Sequence, residues 1–299
     1  MPHLPKRRLL VFSLSAILTS VALTLPAGSE LRVKTDRSRA QALFEDAQKL
    51  IAAGKHGDAI SKLRIIVDAY SDDSLAPTAQ MKIARLYNEN HENVKAFDSY
   101  QIIFDHFQKS DHYQDALDGQ IDIAERVMSN YELRKRKGDH IRKEPLPSEN
   151  LASKMFGKIV QNGQFAPQAP FAQYNKAIAL EREEKPRTAR GEHQVFLEKY
   201  PSHHLADDAA FQIAYIDYKL SRKSNDEPSL RRRSQLEFEY FLQAFPESEK
   251  TPQAKMLVRT LNVTEFTELI ETAQYYEDRD RPQSALKYYE QMQKLHPAD

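Results

Sequence analysis

Apolar residues recur three and four positions apart through most of the chain beyond Glu30, as in Ala40–Ala53 and Asp58–Ala69. That is the period of amphipathic helices, and it predicts one helix after another with few strand signals. A second regularity is superposed on the first. Ala47 is followed twelve residues later by Ala59, and the same spacing joins Ala84 to Ala96, Ala177 to Ala189 and Ala273 to Ala285. Large residues follow the second alanine at plus four and plus seven: Leu63 and Ile66, Tyr100 and Ile103, Tyr289 and Met292. Pro201 and Pro297 stand twelve residues beyond the second alanines Ala189 and Ala285.

Two antiparallel helices explain this spacing. A methyl group on each side of a crossing lets the axes approach at the short end of the usual range of about 8–10 Å. The bulky residues one and two turns on fill the flanks, and the proline ends the second helix because it can neither donate nor continue the turn. Gly54, after Leu50-Ile51-Ala52-Ala53, reads as the C-terminal glycine of a first helix. The pattern resembles the tetratricopeptide repeat, a helix–turn–helix unit of about 34 residues. Ala47 to Ala84 and Ala177 to Ala214 are each 37 residues, so the units are slightly long. Two are interrupted: Ala124 finds its partner at Ala152, with the insertion around 131–147, and Ala214 pairs with Ser234, with the insertion around 221–231. The expected fold is all-α, a right-handed superhelical tetratricopeptide solenoid of about 5–6 helix pairs, with repeats near 40–73, 77–110, 117–165, 170–203, 207–248 and 266–299.

The first 29 residues differ from the rest. Lys6, Arg7 and Arg8 precede an apolar run from Leu9 to Leu25, then Pro26-Ala27-Gly28-Ser29. This order predicts an export signal cleaved before Glu30, or otherwise a short anchor. Either way the remainder, 30–299, is expected outside the cytoplasm.

Composition narrows the chemistry. Of 299 residues none is cysteine, which excludes disulfides, thiolate metal sites, a cysteine nucleophile and lipid attached through cysteine. Eight glycines leave little for phosphate-binding loops, and neither G-x-x-x-x-G-K-(S/T) nor G-x-G-x-x-G occurs. There is no H-E-x-x-H and no G-x-S-x-G. The 43 basic and 43 acidic residues point to no nucleic-acid partner. His203-His204 with Asp207 and Asp208 is the nearest approach to a metal cluster, but it has too few ligands, and no metal or other cofactor is expected. Asp72-Asp73 and Glu183-Glu184 read as solvated pairs at turns, and Asn262-Val263-Thr264 as a chance sequon.

Two features suggest binding. Phe211, Tyr215 and Tyr218 fall on one helical face of a first helix, either lining the concave groove for a partner segment or packing on the next repeat. Arg134, Lys135, Arg136, Lys137, Arg142 and Lys143 concentrate positive charge in the first insertion, as a contact patch for an anionic partner or as a solvated extension.

The C-terminal half is more specific. Ser202-His203-His204-Leu205-Ala206-Asp207-Asp208-Ala209-Ala210, the segment Leu236–Ser248, and the ending Thr272-Ala273-Gln274-Tyr275-Tyr276 with Ser284-Ala285-Leu286-Lys287-Tyr288-Tyr289 and His296-Pro297 resemble the BamD family. The resemblance extends from about Ala40 to Asp299. It implies a non-catalytic periplasmic scaffold at the inner face of the outer membrane, working in β-barrel protein assembly. The partners it implies are a BamA-like barrel-assembly protein, docked by the C-terminal repeats, and unfolded outer-membrane clients. The alternative is an exported adaptor of another envelope complex, of the Tol or division type. In that family a cysteine after the export signal carries the lipid; here Ser29 stands in its place, so peripheral membrane association through partners is expected.

Overall fold

A computed structural model describes residues 27–137, 150–223 and 228–295, with side chains over 37–130, 150–223 and 228–294. Residues 1–26 of the export segment and the insertion cations Arg142 and Lys143 lie outside the described residues, as do the side chains of Arg134 to Lys137. The described residues form twelve helices and no strand: α1 Ala27–Ala52, α2 His56–Ala69, α3 Leu75–Glu89, α4 Asn93–His106, α5 Tyr113–Lys137, α6 Leu151–Asn162, α7 Ala169–Arg182, α8 Pro186–Lys199, α9 Ala206–Lys223, α10 Pro228–Ala244, α11 Thr251–Glu277 and α12 Pro282–Leu295. The all-α helix-pair architecture expected from the spacing is the one observed.

The chain divides into two units at Ala76 and Pro77. The first holds the hairpin α1–α2. Ala47 and Ala59 are fully buried there, with Leu63 and Ile66 filling the flanks. Gly54 ends the hairpin's first helix at φ +70°, a left-handed conformation that costs glycine nothing. The Lys55 N–H then reaches back to the Leu50 carbonyl.

The second unit stacks five further pairs, each helix from α4 onward packing on the next along the chain. Its small-residue crossings repeat the pattern. Ala84, Ala96, Ala124, Ala177, Ala189, Ala214, Ser234 and Ala273 have no exposed surface. The plus-four slot holds buried Tyr100, Phe156 and Phe238, and the plus-seven slot buried Ile103, Ile159, Phe196 and Phe241. Two glutamines brace the pairs from within. Gln80 donates to the Ser99 carbonyl at 2.7 Å and Gln173 to the Glu192 carbonyl at 3.2 Å. Each lies four residues before the pair's first alanine, and each acceptor three after its second.

The turns are equally regular. Within pairs, the residue closing the first helix takes the left-handed conformation at Gly54, His91, Glu184 and Asp280. Between pairs, a fixed ladder of backbone bonds joins one helix end to the next start, for example Tyr200 to Phe196, His203 to Tyr200 and Ala206 to His203. The third residue of this turn accepts the N–H two positions on: Asp73 from Leu75, Ser110 from His112, His203 from Leu205 and Ser248 from Lys250.

The helix α11 does two jobs. Its 27 residues span about 40 Å at 1.5 Å per residue. The first half sets Ala254, Leu257 and Leu261 against Phe238 and Phe241 of α10. The second half places Ala273 across from Ala285 of α12.

Candidate functional site

Repeats four and five, α7 to α10, depart from the apolar pattern in two core slots. The plus-four slot after Ala189 holds His193, fully buried. Its Nε2 lies 3.1 Å from Glu181 Oε1, and Lys219 binds the other Glu181 oxygen at 3.2 Å. Burial by itself would raise the Glu181 carboxyl, but the His193 hydrogen bond and the Lys219 charge outweigh it and hold the group below its ordinary value. The second departure is Asp217, three residues after Ala214, where Leu50, Tyr87, Val127 and Leu180 stand in other repeats. Asp217 has no exposed surface and is held by two arginines. Arg190 Nε approaches at 2.9 Å from α8, and Arg233 from α10 binds both oxygens at 2.6 Å. Arg190 also reaches Glu237 at 2.7 Å. A buried carboxylate persists only when paired and hydrogen-bonded, and this one clips three helices together.

Along α9 the aromatic stripe stands as a ladder. Phe211 and Tyr215 stack at 5.7 Å, and Tyr215 and Tyr218 at 6.1 Å. Its members differ in role. Phe211 is 3% exposed and packs edge-on against Phe238 and Phe241, so it is core rather than groove. Tyr215 and Tyr218 border the same cluster but stay half-buried, each keeping an open side. Lys219 lies 4.8 Å over the Tyr215 ring, and Arg222 lies over Tyr218 and donates to its hydroxyl. The open face is thus two tyrosines flanked by cations, suited to an extended segment with apolar and acidic side chains.

The remaining candidates have structural roles. His203 Nδ1 accepts the Leu205 N–H, as Asp73, Ser110 and Ser248 do in their turns. The His203 and His204 rings lie 4.2 Å apart and tilted by 34°, and burial together with the neighbouring His204 lowers the His203 pKa. Asp207 accepts from Ser248, and Asp208 pairs with Lys250. Among the described residues no group of three or more His, Asp and Glu is arranged to hold a metal. Glu183 is not solvated as its position near a turn suggested. Only 4% of its side chain is exposed, and it accepts from the Ser153 N–H at 3.0 Å and the Ser153 hydroxyl at 2.7 Å. It thereby satisfies a free donor in the first turn of α6. Asn262 of the sequon accepts from Gln235. The basic patch from Arg134 to Lys137, with Arg142 and Lys143, stays an expectation of the sequence.

Residues 147–299 match the protein family YfiO, described as an outer membrane lipoprotein. The chain belongs to the YfiO family. This is the family of the BamD resemblance, and the match covers repeats four to six, where that resemblance is densest. No curated protein matches the chain. Similar solved structures include the apo form of RapI, at 12% identity and TM-score 0.39, covering 90% of this chain and 79% of that one. The tetratricopeptide domain of P58(IPK) is 16% identical at TM-score 0.34, over 87% of this chain and 74% of that one. A tetratricopeptide protein from Parabacteroides merdae is 12% identical at TM-score 0.30, over 87% and 94%. No described helix of this YfiO-family chain is long and apolar enough to cross a membrane.

The sequence pattern missed Asp217, His193 and Glu183 as structural centres. The signal available was negative: a charged or polar residue in a slot that other repeats fill with an apolar one.

Proposed function

We propose that this YfiO-family protein is a non-catalytic periplasmic scaffold for β-barrel assembly at the outer membrane. It binds a BamA-like partner through its C-terminal repeats and holds segments of unfolded clients. The observation that carries the reading is the family match over residues 147–299, which spans repeats four to six and includes the half-open tyrosine face of α9. A stack of braced hairpins offers that face without reorganisation, so little ordering entropy opposes binding.

The test is affinity purification of the chain from envelope extracts at native expression. Recovery of a BamA-like barrel protein supports the reading, and its absence overturns it. The same purification with Tyr215→Ala assigns the face: loss of a bound partner at unchanged melting temperature makes Tyr215 a contact residue.

A further inference from the structure

The helix α11 buries one side and leaves another uncovered. Ala254, Leu257 and Leu261 pack on α9 and α10, and Ala273 faces α12. About half a turn round from Leu257 and Leu261, at about 100° per residue, run Met256, Thr260, Val263, Thr267, Ile270 and Gln274. Met256 and Val263 each keep 59% of their surface exposed. Thr260, Thr267 and Gln274 are exposed as well, and Ile270 is half-buried. The threonine hydroxyls are satisfied within the helix: Thr260 donates to the Met256 carbonyl at 3.0 Å, and Thr267 to the Val263 carbonyl at 2.8 Å.

Steps of 4, 3, 4, 3 and 4 residues separate these six positions, the spacing of a coiled-coil seam, and they read the same in both directions. None of the six is charged, although α11 carries six charged side chains. Those charges lie off the seam and are sorted along the helix. Lys255 and Arg259 stand in its first half, and Glu265, Glu268, Glu271 and Glu277 in its second. Glu268 is held by Arg231, and Glu265 lines a cleft with Arg231 and Arg232. Glu271 and Glu277 are exposed. The turn before the helix carries Glu247 and Glu249; the turn after it carries Arg279 and Arg281 among Asp278 and Asp280.

We propose that this seam is an interface between two copies of the chain, their α11 helices lying antiparallel about a two-fold axis level with Glu265. In that alignment Met256 meets Gln274 of the second copy, Thr260 meets Ile270 and Val263 meets Thr267, each contact occurring twice. Lys255 and Arg259 come level with the last turns of the other helix, where Glu277 stands, whereas a parallel pair would set like charges side by side. Antiparallel helices also bring opposite dipole ends together. The seam is about 27 Å long and part of it is threonine, which puts the contact at the low end of stable interfaces, with a dissociation constant of about 1 μM or weaker. The two-fold axis closes the assembly at a dimer. This goes beyond the scaffold reading and uses neither Tyr215 nor Tyr218, so the two stand or fall separately.

Sedimentation equilibrium of the full chain measures the association. Val263→Glu with Thr267→Glu sets like charges against each other across the seam and should weaken it at least tenfold. Both positions are exposed, so the melting curve should match the parent's. Cross-linking reads the orientation. The chain has no cysteine, so an introduced thiol can pair only with another introduced thiol. Under mild oxidation a mixture of the Met256→Cys and Gln274→Cys variants should form a disulfide, and neither variant alone should. In the antiparallel pair the two copies of position 256 stand about 27 Å apart, far beyond disulfide reach. A disulfide from Met256→Cys alone overturns the proposal, as does equal association of the parent and the double variant. A parent that stays monomeric at about 100 μM overturns it too, including the case in which the seam takes a helix of another protein.

Discussion

Ser234 Oγ donates to the Ala214 carbonyl at 2.9 Å, both residues fully buried where α9 crosses α10. Serine here occupies the slot that alanine fills elsewhere, and its hydroxyl is satisfied within the crossing. Ser234→Ala keeps the volume and removes donor and need together, so stability should change by less than about 1 kcal/mol. Ser234→Leu forces the crossing apart and should cost about 1–3 kcal/mol, as should Ala189→Leu in the preceding repeat. Urea melts of the three variants test the placement of the small-residue slots, and parent-like melts of both leucine variants would refute it.

Gly119 faces the ring of Tyr100. A Cβ built at this position would lie 2.5 Å from Tyr100 Cζ, and that ring is itself buried. Gly119→Ala in mid-helix would ordinarily stabilise by about 0.5–1 kcal/mol. At this site the sign should reverse, to a loss of about 1–3 kcal/mol by overpacking. A melting temperature above the parent's would contradict the close approach of α4 and α5.

The left-handed turn residues give the opposite case. His91 and Asp280 are exposed, at φ 61° and 55°. His91→Gly and Asp280→Gly should each stabilise by about 0.5–1 kcal/mol, while Gly54→Ala should destabilise by about 1 kcal/mol. Thermal denaturation of the three single variants measures the difference in sign.

Asp217→Asn removes the charge from the clip and leaves Arg190, with 13% of its side chain exposed, without its buried counterion. The expected cost is about 3–5 kcal/mol. Arg233→Ala should cost less, because that side chain is 45% exposed and Arg190 stays on the carboxylate. Equal losses in calorimetry would show that the two arginines are equivalent.

Acid stability should depend on Glu181, whose folded pKa is held below its ordinary value of 4.5. A carboxyl lowered in the fold takes up its proton at lower pH than in the unfolded chain. Its stabilisation is whole above pH 4.5 and is lost as pH falls through the lower folded value. Glu181→Gln should therefore flatten the decline of melting temperature in that acid range. An unchanged slope would show that the His193 and Lys219 contacts do not set the carboxyl's titration.

The helical period and the twelve-residue alanine spacing determined the pair architecture from the sequence alone, since both follow from local geometry that each hairpin satisfies by itself. Gly54 was legible for the same reason: its left-handed turn is a property of one residue. The equivalent turns at His91, Glu184 and Asp280 were not, because these residue types also occupy many other conformations and it is the backbone bond closing each turn, as from the Glu92 N–H to the Tyr87 carbonyl, that enforces them. The tyrosine stripe shows the limit most clearly. Periodicity put Phe211, Tyr215 and Tyr218 on one face, but only the approach of Phe238 and Phe241 from α10 closed Phe211 into the core and left the tyrosines half open. Asp217 was likewise one acid among 43 in the sequence. Its role depends on arginines 27 residues before it and 16 after it, and only the packing of three helices excludes the water that would otherwise make that pairing weak.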